Sequence, residues 1–152
     1  MTVRVQTQDF DVAAELASMR LADQSIGAVV SFIGQVRDMN DGDAIQTLTL
    51  EHYPEMTEKA LEKIEAEAKM RWNVLESRII HRVGRLQPQD QIVLVAVSGA
   101  HRGDAFKACE FIMDFLKTQA PFWKKETTNQ GERWVEAKLS DQDAQARWQI
   151  KK

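Results

Sequence analysis

The sequence predicts a mixed α+β fold in one domain, on three observations. Two long stretches carry apolar residues at helical spacing. Several short stretches alternate apolar with polar residues or are rich in β-branched ones. Consecutive strand-like stretches are joined by tight turns, which favours antiparallel pairing over βαβ crossovers. The chain has 152 residues, 43% of them hydrophobic and 28% charged, enough to bury a core. It shows no repeat, low-complexity run or linker, so residues 1–152 are read as one domain ending in a polar tail over 140–152.

The elements follow in order. Val3 and Val5 alternate with polar residues in a short first strand, and Asp9 or Asp11 caps a helix to about Leu21 that carries Val12, Leu16 and Met19. Residues 26–36, IGAVVSFIGQV, have the β-branched, apolar character of a well-buried strand. RDMNDGDA (37–44) is a loop with Asn, Asp and Gly turn chemistry, and IQTLTLEHY alternates strictly, as a strand does. Pro54 closes that strand. Residues 55–72 form a helix with Leu61, Ile64, Ala68 and Trp72 on one stripe. Residues 77–86 and 91–99 are strands flanking a turn at Pro88 and Asp90, the second apolar on both faces and therefore central. A helix from about Asp104 to Gln119 places Ala105, Cys109, Ile112 and Leu116 at core spacing, and 122–138 is a hairpin turning at Asn129-Gln130-Gly131.

Composition narrows the function. The formal net charge is -3, so the chain lacks the basic excess of a nucleic-acid binder, and a cationic site has to be local. The single cysteine, Cys109, can form no internal disulfide and supplies no Cys/His spacing for zinc. The N-terminal residues lack a signal-peptide pattern and no apolar run approaches the ~20 residues that span a bilayer, so the cytosol is the expected location.

The densest chemistry lies in FIMDFLKTQAPFWKKE, residues 111–126. Pro121 has no N–H and its ring clashes with the carbonyl four residues back, so the helix ends near Gln119. Lys117 is then on the last turn, Met113 one turn earlier, and Lys124 on an extended segment beside Glu126, with Phe122 and Trp123 at the same helix end. Two readings stand. Lys117 complements the negative end of the helix dipole and Lys124 and Lys125 are a solvated face. Alternatively, a lysine serves as nucleophile or proton carrier, which requires desolvation or a second cation to lower its pKa. GAHRGDA (99–105) sets His101 and Arg102 at a helix start whose free N–H groups attract anions, although Asp104 could simply cap that helix. Arg37 ends the apolar strand after Phe32, Gln35 and Val36, where it is either solvated or anion-binding. His52, His81 and Cys109 alternate or align with apolar neighbours and read as packed groups.

Taken together, LTLEHYPEMTEKAL (48–61), IIHRVGRLQPQDQIVLVAVSGAHRGDAF (79–106), FIMDFLKTQAPFWKKE (111–126) and GERWVEA (131–137) closely resemble the large, catalytic subunit family of molybdopterin synthase, in register over roughly residues 26–148. The resemblance implies an α/β-hammerhead fold with an additional antiparallel β subdomain, and a homodimer at the core of a heterotetramer. It implies a small ubiquitin-like partner with a C-terminal Gly-Gly thiocarboxylate, whose sulfur is transferred to cyclic pyranopterin monophosphate to make the molybdopterin dithiolene. No resident cofactor or metal is expected. By motif match Lys117 and Lys124 are the catalytic lysines. Arg37, His101 and Arg102 match substrate- and anion-binding positions, with Gln35, Val36, Lys125 and Glu126 lining the same site and Phe32 and Met113 forming its apolar wall. Lys138 stands where the family pattern has arginine, which keeps the charge but loses the bidentate fork. A binding-only scaffold would lack one of the lysines, a hydrolase would want paired carboxylates or a metal cluster, and a nucleic-acid module conflicts with the acidity.

Overall fold

A computed structural model describes residues 2–135 and 139–149. Its strands form two sheets. The first has the order β1-β5-β7-β2, from β1 (Thr2–Gln6), β5 (Val74–Arg82), β7 (Gln91–Gly99) and β2 (Ala28–Gln35); only β1 and β5 run parallel. The second has the order β3-β4-β8-β9, from β3 (Met39–Asn40), β4 (Asp43–His52), β8 (Phe122–Thr128) and β9 (Gly131–Val135), with β6 (Gly84–Leu86) also paired to β4. Helices α2 (Met56–Arg71) and α3 (Arg102–Thr118) cover one face of the first sheet, where Leu61, Ile64, Ile79, Val95, Val97 and Ile112 are buried. Helix α1 (Val12–Ala22), capped by the Asp11 carboxylate accepting the Ala14 N–H, covers the other face through Met19, Ile80 and Leu94.

The mixed architecture, the central position of β7 and the hairpin at Asn129–Gln130 are as expected. Four expectations change. The stretch 26–36 is not a well-buried strand: β2 has β7 as its single neighbour, and Val29 and Phe32 are 38% and 39% exposed. Hydrophobic composition cannot distinguish a central strand from an apolar edge. Residues 37–44 are not simply a loop, because Asp41 and Gly42, both at positive φ, close a two-residue hairpin between β3 and β4. The strand 77–86 divides at Val83, and Gly84 at φ 90° turns the chain from the first sheet into the second. The strict alternation of β4 is interrupted by a register shift between Ile45 and Thr47, after which Thr47 and Leu48 are both buried.

The tail over 140–152 is more than polar chain. Residues Leu139–Ala146 form α4, Arg147 pairs with Glu110 and Asp114, and the Trp148 indole N–H donates to Asp114 at 2.6 Å. The Trp148 ring packs edge-on against Trp72 and Phe111, which joins it to the main core. One aromatic at the end of a charged segment anchors it.

A buried carboxyl on α2 supplies a stability test. Glu65 is 2% exposed and accepts the Ser77 hydroxyl at 2.5 Å; desolvation raises its pKa from 4.5 to about 7 against that hydrogen bond. Between those values the folded chain holds a proton that the unfolded chain has lost, so stability falls as pH rises through the window. Glu65→Gln keeps an acceptor for Ser77 without the charge. It is expected to stabilise the fold by on the order of 1–3 kcal/mol at pH 8 and by little near pH 4.5, as read by thermal or denaturant unfolding. A variant less stable than the parent at pH 8 would refute the account.

Candidate functional site

Lys117 and Lys124 come together at the C-terminal end of α3. Pro121 stops the helix, the Gln119 N–H closes on the Phe115 carbonyl at 2.8 Å, and the chain re-enters as β8, carrying Lys124 back past the last helical turn. Lys117 is exposed and Lys124 half-buried, and the two side chains are close enough for the Lys117 charge to act on Lys124. Desolvation first, and then the Lys117 charge, lower the Lys124 pKa from 10.5 to about 8, with Asp141 of α4 and Glu126 acting the other way. About a tenth of Lys124 is therefore free amine at neutral pH, several hundred times the fraction of an ordinary lysine. Lysine pairing, the condition that spacing alone could not settle, is met by geometry.

Glu126 shares the inner face of β8 with Lys124, and it is buried and committed. It accepts from the Asn40 side chain at 2.6 Å and from Arg133 at 3.1 Å, while Arg133 also binds Asp43 at 2.7 Å and the Asn40 carbonyl at 2.9 Å. Arg37 donates to the same Asn40 at 3.3 Å. A continuous polar network thus links Arg37 to the strand that bears Lys124, and the exposed Arg37 guanidinium keeps donors for an anion. The β2–β7 register pairs Ala28 with Gly99 and Gln35 with Gln91, and α3 runs back along β7, so Gln35 and Arg37 lie at the lysine end. Phe32 is partly exposed on β2, and Met113 is buried on α3 one turn before Lys117.

Other expected site residues fall elsewhere. Val36 is a core residue packed with Ile45, Leu48, Leu50 and Leu86; both its N–H and its carbonyl are used, by Asp90 and Gln89. Lys125 points to the opposite face of β8 from Lys124, over the Trp134 ring and 3.5 Å from Glu132. His101 and Arg102 are exposed at the start of α3, about 22 Å from Lys117 at 1.5 Å per residue, so one chain cannot bring both groups to one small ligand. His101 is the N-cap residue of α3. Asp104 is not the cap; its carboxylate accepts the Asn73 N–H at 3.4 Å. Lys138 lies outside the described residues.

The sequence marks none of Asn40, Asp43, Arg133, Asp141 and His81 as a neighbour of the site. Each meets it through long-range pairing, and no local spacing announces that. Cys109 does fit its expected role: it is buried, its thiol donates to the Val95 carbonyl at 3.8 Å, and desolvation pushes its pKa up to about 12. It is therefore a poor thiolate and a poor sulfur carrier. Cys109→Ala is expected to keep most of its activity while losing roughly 1 kcal/mol of stability for the vacated sulfur. Background activity in a folded variant would overturn that reading.

The fold and site define an α+β protein in which two lysines meet at one helix end and the single thiol is buried and raised in pKa. A family model described as "MoaE protein" matches residues 5–119. The molybdopterin synthase catalytic subunits of Ralstonia nicotianae and Haemophilus influenzae are each 60% identical, over 98% and 96% of this chain and 85% and 97% of theirs. Among solved structures, a molybdopterin biosynthesis MoaE protein from Burkholderia ambifaria matches with TM-score 0.84 at 57% identity over 99% of both chains. Molybdopterin synthase from Staphylococcus aureus matches with TM-score 0.80 at 34% identity, over 87% of this chain and 95% of that one. The chain belongs to the MoaE family of molybdopterin synthase catalytic subunits.

Proposed function

We propose that this chain is the catalytic subunit of a molybdopterin synthase, transferring sulfur from the C-terminal thiocarboxylate of a small ubiquitin-like subunit to cyclic pyranopterin monophosphate to form the dithiolene of molybdopterin. The observation that carries this reading is Lys124, a half-buried amine with its pKa near 8 beside Lys117, in a chain whose single cysteine is buried and inert. Sulfur leaving an acyl thiocarboxylate needs a group to attack the carbonyl or carry the proton, and an amine close to neutrality can do either. Arg37 supplies a charge-assisted contact to the phosphate, and Phe32 and Met113 supply apolar surface for the pterin. A Gly-Gly tail suits the approach because it has no side chains to clash in a narrow entry.

His101 and Arg102 complete the site from a second copy. Two chains paired about a two-fold axis with antiparallel α3 helices bring the helix start of each to the lysine end of the other. The exposed apolar Val29, Phe32 and Phe106 between the two ends are consistent with such a contact. No helix among the described residues is long and apolar enough to cross a membrane. Incubating the chain with thiocarboxylated small subunit and cyclic pyranopterin monophosphate tests the proposal. Dithiolene product is expected only with the thiocarboxylate form, and equal product with a plain carboxylate partner would sink it.

A further inference from the structure

Asn40 joins the anion side of the site to the buried end of β8, and no expected role falls on it. It ends β3, is 7% exposed, and its backbone carbonyl accepts from the Arg133 guanidinium at 2.9 Å. Its side-chain Nδ2 donates to Glu126 at 2.6 Å. The Glu126 carboxylate, paired with Arg133 at 3.1 Å, can only accept, so the amide has one orientation: Nδ2 faces Glu126 and Oδ1 is the end left for Arg37. Arg37 Nη2 donates to that Oδ1 at 3.3 Å, and among the described residues the guanidinium has no other hydrogen-bond partner and no ion pair. Arg133 holds Asp43 as well as Glu126, so both carboxylates of the network are committed and the acceptor offered to Arg37 is a neutral amide.

We infer that Asn40 is a positioning residue, its side-chain oxygen aiming the Arg37 guanidinium at the phosphate of the substrate. This rests on the proposed role of Arg37 as the phosphate contact. Arg37 lies just beyond the end of β2 and is exposed, so without a partner its long side chain would sample many rotamers, and binding would have to order it. A hydrogen bond to a buried amide, itself anchored at two points, removes part of that cost before the ligand arrives. The neutrality of the acceptor matters as well. A carboxylate in its place would pair with Arg37 and compete with the anion, whereas the amide oxygen engages one of the five guanidinium N–H groups and leaves the charge.

Two measurements test it. Without substrate or partner, nitrogen NMR relaxation of the Arg37 side chain, assigned by its loss in Arg37→Ala, reads the order of the guanidinium directly. The Arg37 Nε–H order parameter is expected above about 0.6 in the parent chain and clearly below that in Asn40→Ala. Equal order in the two chains would overturn the inference. Should Asn40→Ala fail to fold, the parent decides alone, and a value below about 0.6 there would be equally fatal. In the complete reaction, Asn40→Ala is expected to raise the KM for cyclic pyranopterin monophosphate about three- to tenfold, with a smaller change in kcat. In an Arg37→Ala background the same substitution is expected to add nothing, because its effect runs through Arg37. Additive effects would make Asn40 a structural residue of the β3–β4 hairpin and sink the positioning role. An unchanged KM in Arg37→Ala would refute the phosphate contact itself, whereas a raised KM there with an unchanged KM in Asn40→Ala would remove only the inference about Asn40.

Discussion

Replacing Lys117 with alanine is expected to reduce turnover by about 10²–10⁴-fold, the usual worth of a positioned proton-transfer group, while affinity for the small subunit changes little. The asymmetry follows from position. Lys117 is exposed on the last turn of α3, so its removal leaves no buried hole, but it is the cation that helps keep Lys124 near pH 8. Its loss removes one amine and returns the other toward ordinary lysine behaviour. Lys117→Arg keeps the positive charge and is expected not to rescue, because a guanidinium does not release its proton near neutrality. The rate should also show a limb near the Lys124 midpoint, rising with pH through about 8 if the amine form is the active one. Steady-state product formation over a substrate series, with partner affinity measured in parallel, checks these points. Near-normal turnover in both variants would leave Lys117 as a helix-end cation.

The second large effect is expected in mixtures. Arg102→Ala alone should raise the substrate concentration needed, since it removes a charge-assisted phosphate contact worth about 1.5–3 kcal/mol. Lys117→Ala alone should be inactive. If α3 of one chain completes the site of the other, an exchanged mixture of the two variants contains mixed dimers with one wild-type site each. Random exchange makes half of the dimers mixed, so about a quarter of wild-type activity at low substrate should reappear. Activity no higher than the average of the two separate variants would show that His101 and Arg102 serve something other than the lysine site. The prediction depends only on the length of α3, which keeps the two groups about 22 Å apart in any single chain.

Much of this protein is legible in its residues. The apolar stripes of α2 and α3, the turn at Asn129–Gln130 and the stop at Pro121 are local patterns with local causes, and they fix where helices begin and end and that Lys117 and Lys124 share a helix end. The burial of Cys109 follows from the same helical spacing. Family resemblance then extends over roughly residues 26–148, and the string around Pro121 is its most specific part.

What the tertiary structure alone decided is which strands are neighbours. That made β2 an exposed edge, split 77–86 between two sheets, and turned a tail with a single anchoring tryptophan into a docked helix. It also decided the chemistry of the site. The lowering of Lys124 comes from burial and from Lys117 seven residues earlier, whose approach depends on how β8 returns past α3. The Asn40–Glu126–Arg133 network and the Phe122–His81 stack join residues 86 and 41 positions apart. Periodicity reports which face of an element is apolar, because that preference acts within a few residues. Electrostatic environment depends on distance in space, which the chain acquires only when its sheets close.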